Sequence, residues 1–185
     1  MRKLFAFIMT TLDGYYEGPN QEFDFWVVDE EFNRFAEQQL DEVDTLLFGR
    51  VTYQGMAAYW PTPAGEQDDP RLAARMNGLS KIVVSRTLDK AEWVNTRLIT
   101  GNVAAELTTL KAQPGKDIAI LGSSNLTASL LQTGLLDEVR IMVNPVVLGA
   151  GKSVFRTAGE RTGLKLLKST HFSSGNVLLR YQPVP

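Results

Sequence analysis

The 185-residue chain has no cysteine and a single histidine, His171. The first absence excludes disulfides, thiolate nucleophiles and thiolate metal sites. The second excludes a cluster of histidine ligands, so no metal site is expected. A Ser-His-Asp triad would have to use His171. That residue lies in the strand-like stretch Lys168-Ser169-Thr170-His171-Phe172 and reads as structural or solvent-facing. A charge excess is also missing: 19 Lys and Arg against 21 Asp and Glu leave a net charge of −2. There is no basic stripe with interleaved aromatics, so no nucleic-acid partner is expected. The apolar run Leu4 to Met9 is too short to cross a membrane, lacks a small-residue cleavage site and meets Asp13-Gly14 soon after. It reads as a strand and turn in a cytoplasmic protein with no membrane partner.

What is present is globular in character. With 44% hydrophobic and 22% charged residues, the length predicts one domain over 1–185 with a full core. Leu4–Thr11 reads as a buried strand, apolar on both faces as a covered sheet requires. Tyr15 to Asp24 is expected to be an exposed loop. Asp29 suits the N-cap of a helix reaching about Leu40, with Phe32, Phe35, Ala36, Gln39 and Leu40 on its inner face. A strand over Thr45–Phe48 leads into a helix from Arg50 to about Ala58, and Pro61 to Pro70 reads as a loop before a short helix over Pro70–Asn77. Lys81–Ser85 is a third strand and Glu92–Ile99 contains an extended piece. Gly101-Asn102 opens a helix ending near Pro114-Gly115. Asp117–Leu121 precedes a helix over Asn125–Gln132 that stops at Gly134. Asp137–Val147 reads as a long strand and Gly149-Ala150-Gly151-Lys152 as a tight turn. Gly163–Phe172 and Asn176–Tyr181 form a closing hairpin around Ser173-Ser174-Gly175. Strand–helix units followed by antiparallel strands predict a mixed sheet with helices on both faces.

Two strands end in a glycine and pass straight into a helix signal: Thr45-Leu46-Leu47-Phe48-Gly49-Arg50 and Ile118-Ala119-Ile120-Leu121-Gly122-Ser123. Glycine at such a junction lets another group approach the backbone, and the N–H groups and dipole of the following helix attract an anion. Either junction alone reads as an ordinary strand-to-helix turn, but two together suit a ligand with separated phosphates, of which a dinucleotide is the commonest. Arg50 and Arg86 add fixed positive charge. Trp26, Tyr53, Tyr59 and Trp60 are candidates either for a flat-ring pocket or, as aromatics more often are, for core and loop anchors, with Gly55-Met56 and Trp60-Pro61 at the pocket rim and at dimer contacts.

Leu12-Asp13-Gly14 after the first strand, Phe23-Asp24-Phe25-Trp26, and Phe48-Gly49-Arg50-Val51-Thr52-Tyr53 together resemble the dihydrofolate reductase superfamily. Ile120-Leu121-Gly122-Ser123-Ser124 and the long run Asp137 to Lys152 around Pro145 narrow the likeness. They resemble the reductase domain of the riboflavin-biosynthesis deaminase–reductase, and more closely its stand-alone relatives. The resemblance covers nearly the whole chain.

It implies an α/β, dihydrofolate reductase-like fold: three αβα layers around a central mixed sheet with a C-terminal antiparallel hairpin. It also implies NADPH as cofactor. Gly49, Arg50 and Thr52 would line the phosphates, and Ser85 and Arg86 would meet the adenosine ribose and its 2′-phosphate. Gly122, Ser123, Ser124 and Leu126 would hold the diphosphate from the other side. Met9 and Tyr16 match the loop over the nicotinamide most nearly, with Glu17 beside them. Asp13 and Glu31 stand as the catalytic carboxylates. Asp13 is also placed to orient its loop, and Asp29 and Glu30 neighbour Glu31 at the helix start. The deaminase half of the riboflavin enzyme carries zinc ligands absent from these residues, so the resemblance reaches at most the reductase step on a ribosylamino-pyrimidine phosphate. The implied function is an NADPH-dependent reductase related to 5-amino-6-(5-phosphoribosylamino)uracil reductase, with a small heterocyclic or carbonyl substrate and a homodimeric state. The alternatives are dihydrofolate reduction, or a nucleotide-binding protein on the same fold without turnover.

Overall fold

The computed structural model describes residues 1–184. Its elements in chain order are β1 (Leu4–Thr11), β2 (Tyr15–Glu17), α1 (Glu30–Asp41), β3 (Val43–Gly49), α2 (Arg50–Tyr59), α3 (Pro63–Asp68), α4 (Pro70–Gly78) and β4 (Ser80–Val84). There follow β5 (Thr96–Ile99), α5 (Val103–Ala112), β6 (Asp117–Leu121), α6 (Ser124–Gln132), β7 (Glu138–Asn144), β8 (Lys152–Ser153), β9 (Gly163–His171) and β10 (Val177–Val184). One eight-stranded sheet runs β5-β4-β3-β6-β1-β7-β10-β9. Strands β5 to β7 are mutually parallel, and β10 and β9 join antiparallel. This is the expected three-layer arrangement with a closing hairpin.

Alternation along β1 splits the core in two. Phe5, Phe7 and Met9 face one side, where Phe32 of α1, Tyr53 of α2 and Met76 of α4 pack. Leu4 and Ala6 face the other, with Leu107 of α5 and Leu130 of α6. Strand β1 is therefore buried at every position. The split follows from handedness. From β3 the chain steps outward to β4, whereas from β6 it steps across β1 to β7; right-handed crossovers then place α2 and α6 on opposite faces.

Three expectations need correction. The segment Tyr15–Asp24 is not simply an exposed loop: β2 pairs with β8, matching Tyr15 with Ser153 and Glu17 with Lys152, and Glu17 is buried. The Gly149–Lys152 turn delivers that partner. Pro61–Pro70 contains α3, because Thr62 caps it by accepting from Gly65 N–H and Pro63 stands at the first turn, where its missing N–H costs nothing. Strand β7 stops at Asn144, since Pro145 has no N–H to continue a ladder. The extended piece expected within Glu92–Ile99 is present as Thr96–Ile99. Asp29 caps α1 as expected, accepting from Phe32 N–H at 2.8 Å.

Candidate functional site

Strands β3 and β6 are neighbours, and the helices that follow them leave on opposite faces. In a parallel sheet that is a topological switch point, and the crevice beyond the strands' carboxyl ends is the usual ligand site. Both glycine junctions sit there and touch. Gly49 N–H donates to Ser123 Oγ at 2.8 Å, and Ser123 N–H donates to Thr52 Oγ1 at 3.2 Å. Gly122 and Ser123 are consecutive left-handed residues, with φ of 65° and 52°. A Cβ on Gly122 would stand 3.3 Å from Thr52 Cγ2.

Side chains of Asp29, Thr62, Asp69 and Asn102 cap α1, α3, α4 and α5. Helices α2 and α6 make no such bond; their N-caps are Gly49 and Ser123. Ser123, a residue type that ordinarily caps its own helix, accepts from Gly49 N–H with its hydroxyl instead. The first-turn N–H groups of both helices are thus unclaimed by a cap, and both open at one crevice.

Beside the crevice, at the ends of β4 and β5, lies a cavity of about 260 Å³ lined by Ser85, Arg86, Gly101, Leu126 and Ser129 among others. It brings together three of the expected residues. Ser85 Oγ also accepts from Thr87 and Leu88 N–H, which shapes the turn that presents Arg86. Gly101 and Ser129 escaped the sequence reading. The signal for Gly101 was there: Thr100-Gly101-Asn102 follows β5 as a third strand–glycine–helix junction. A larger groove of about 780 Å³ opens at the opposite ends of β3 to β5. Its arginines, Arg2 and Arg97, are already paired with Asp44 and Glu106, and none of the expected residues reaches it. The smaller cavity fits the switch-point chemistry and the larger groove does not.

Arg50 and Arg86 are both exposed at the rim, and Arg50 donates to Gln54 Oε1 at 3.0 Å. Ser124 is buried at the start of α6. Met9 is buried on the α1 face opposite Met142, and Tyr16 is half-buried in β2.

The two carboxylates are held by loops. Asp13 accepts from the Thr11 hydroxyl at 2.6 Å, from Gly149 N–H at 2.7 Å and from Leu148 N–H at 3.1 Å. The Thr11 hydroxyl first, then the Gly149 N–H, pull its pKa down to about 2. It is a fixed anion that ties the loop after β1 to the loop after β7, a tie reinforced by the Lys152–Glu17 ion pair. Glu31 Oε2 accepts from the Ser173 hydroxyl at 2.6 Å and from Ser173 N–H at 2.8 Å, and both bonds hold it below its ordinary value.

The four candidate aromatics do not line one pocket and serve instead as core and loop anchors. Tyr53 is buried under α2 and its hydroxyl accepts from Trp93 N–H. Tyr59 bonds Asp68, and the Trp60 indole N–H points at Met56 Sδ. Only Trp26, beside Phe23 and Phe25, lies near the loop after β1. Among the described residues no cluster of potential ligands for a metal occurs, and no helix is long and apolar enough to cross a membrane.

A profile of the family described as the RibD C-terminal domain matches residues 2–178. The Bacillus subtilis (strain 168) protein YyaP is 34% identical over 182 residues, 97% of this chain and 94% of YyaP. Among solved structures, a putative riboflavin biosynthesis protein from Shewanella sp. PV-4 superposes with a TM-score of 0.75 at 20% identity, covering 99% of each chain. The deaminase/5-amino-6-(5-phosphoribosylamino)uracil reductase of Thermotoga maritima gives 0.70 at 13% identity, covering 99% of this chain and 57% of that one. Dihydrofolate reductase from Enterococcus faecalis complexed with NADP(H) gives 0.64 at 16% identity, covering 99% and 97%. The fold is dihydrofolate reductase-like.

Proposed function

This chain belongs to the RibD C-terminal domain family, and on that premise we propose that it is an NADPH-dependent reductase acting on a small heterocyclic or carbonyl substrate. The observation that carries the reading is the pair of uncapped helix starts, α2 and α6, opening on one switch-point crevice. First-turn N–H groups of Arg50, Val51, Ser124 and Asn125 hold the diphosphate, and the hydroxyl of Thr52 adds to them. Ser85 and Arg86 take the adenosine ribose and its 2′-phosphate, with Leu126 against the adenine.

When bound, NADPH supplies the hydride. The protein's part is to orient donor and acceptor and to exclude water. Asp13 and Glu31 act as positioning residues. Asp13 keeps the loop after β1 closed on the loop after β7, and Glu31 fixes the β9–β10 turn against α1. An Asp with a pKa near 2 has no proton to give near neutral pH.

Saturable quenching of tryptophan fluorescence by NADPH tests the cofactor, and NADPH oxidation with the phosphoribosylamino-uracil substrate but not with dihydrofolate tests the reaction. No quenching at about millimolar NADPH would overturn the reading. Because Arg86 is a rim residue, Arg86→Ala is expected to weaken NADPH by about 3- to 10-fold and leave NADH unchanged. Equal losses for both cofactors would remove Arg86 from the 2′-phosphate.

A second copy of the chain completes the reading. Val143, Val177, Leu179, Tyr181 and Leu166 line one face of the β7-β10-β9 end of the sheet, and Leu166 is 51% exposed. Strand β9 is open along almost all its length. Such a face marks an interaction surface. Leu179→Lys is expected to convert a dimer to a monomer in light scattering; an unchanged mass would remove this face from the interface.

A further inference from the structure

Ser123 is held against its own backbone preference. Its φ and ψ are 52° and 58°, in the left-handed region that favours glycine. Among the described residues only Gln21 and Asn95 share a positive φ without being glycine. Gln21 sits in an exposed turn, and Asn95 is of a type that tolerates the region. A glycine at position 123 would adopt the same backbone at ease. A strained residue kept at a ligand crevice directs attention to what its side chain does there.

Ser123 spends its polar groups inside the protein. Its N–H donates to Thr52 Oγ1 at 3.2 Å, its C=O accepts from Thr127 N–H at 2.9 Å, and its hydroxyl oxygen accepts from Gly49 N–H at 2.8 Å. Gly122 N–H donates to Phe7 C=O at 2.9 Å. The N–H groups of Gly49, Gly122 and Ser123 are thus all committed to protein acceptors. Those left for an anion belong to Arg50 and Val51 at the start of α2, and to Ser124 and Asn125 at the start of α6.

The two bonds between the starts run in opposite directions, one given by Gly49 and one by Ser123. Packing limits any closer approach: a Cβ on Gly49 would stand 3.4 Å from Ser123 Oγ, and one on Gly122 3.3 Å from Thr52 Cγ2. The bonds resist separation and the packing resists closure. We propose that Ser123 is a positioning residue, a strained strut that fixes the gap between the starts of α2 and α6 at the span of a diphosphate. This rests on the reductase reading above. Two linked phosphates gain from both starts at once only where the gap is set beforehand. A single phosphate at the adenosine end does not cross the gap and is indifferent to the strut.

Two variants separate the strain from the hydroxyl. Ser123→Ala keeps the strained backbone and loses the hydroxyl; it is expected to bind NADP⁺ about 10-fold more weakly and to melt below the wild type. Ser123→Gly loses both; the same fall in NADP⁺ affinity is expected, with a melting temperature above that of Ser123→Ala. Adenosine 2′-monophosphate, which has the 2′-phosphate but no diphosphate, is expected to bind all three proteins within about 2-fold. If Ser123→Ala does not fold, Ser123→Gly, whose backbone is relaxed, carries the test alone. In the wild type the Gly49 amide is expected to stay protected from deuterium exchange when NADP⁺ binds, because the strut persists in the complex. Wild-type NADP⁺ affinity in the folded variants, equal losses for NADP⁺ and adenosine 2′-monophosphate, or a Gly49 amide that exchanges freely in the complex overturns the proposal. Binding of NADP⁺ by the wild type with no loss in the variants overturns the strut alone, whereas failure of the wild type to bind NADP⁺ overturns the reductase reading beneath it.

Discussion

Asn125→Asp is expected to weaken NADPH binding by about 10- to 100-fold while leaving thermal stability unchanged or slightly raised. Asn125 stands in the first turn of α6, is exposed, and accepts from the Thr157 hydroxyl at 3.3 Å, a bond that a carboxylate retains. A negative charge at a helix start ordinarily stabilises the fold by about 0.3–1 kcal/mol. The same N–H groups and dipole are the proposed seat of the diphosphate. A carboxylate about 5 Å from a phosphate costs about 3 kcal/mol at an effective dielectric near 20, before salt reduces it. Binding and stability therefore move in opposite directions, which general damage to the fold does not produce. Fluorescence titration and a melting curve on one sample give both numbers. Wild-type affinity in this variant would remove the diphosphate from α6.

Glu138→Ala is expected to cost about 3–5 kcal/mol of stability, because it removes the buried carboxylate partner of Arg140 and leaves that buried charge only the half-exposed Glu42. Arg140 and Glu138 are each 3% exposed. Glu138 Oε1 accepts from Arg140 Nε at 2.7 Å and from Arg180 Nε at 2.6 Å, while Arg140 also reaches Gln39 and Glu42 and lies over the Phe5 ring. For a domain of this size such a loss lowers the melting temperature by about 6–20 °C. The pH dependence has a definite sign. Burial alone pushes the Glu138 carboxyl up, but Arg180 and Arg140 outweigh it and hold the group below 4.5. Its contribution is thus complete above pH 4.5 and is lost as pH falls through the lower folded value. Urea melts at pH 7 and at progressively lower pH should show the wild type losing stability and Glu138→Ala losing less of it. Parallel pH profiles would assign the acid sensitivity elsewhere.

The parallel strands and their helices were legible because each carries a local signature: the unbroken apolar run of β1, the Asp29 cap, the glycines after β3 and β6. What stayed hidden depends on partners distant in sequence. Strand β2 exists only because Lys152 and Ser153 come alongside, and three residues cannot announce a strand by their own pattern. The Thr62-Pro63 helix start was readable in principle but was masked by the proline- and glycine-rich composition around it. At the site, Gly49 and Gly122 were evident, yet their contact through Ser123 is a fact of sheet order. Aromatic content alone could not separate a pocket from a core, and Tyr53 serves the core. Asp13 and Glu31 were visible as acids, while the Gly149 N–H that helps Thr11 hold Asp13, and the Ser173 groups that hold Glu31, lie more than 130 residues away in the chain.

A crystal structure with NADP⁺ bound tests the account most directly. The diphosphate is predicted to lie between the starts of α2 and α6, accepting hydrogen bonds from first-turn N–H groups on both sides, with the 2′-phosphate beside Arg86. NADP⁺ seated in the groove beneath Arg2 and Arg97, or crossing the crevice with its diphosphate away from Gly49 and Gly122, would contradict it.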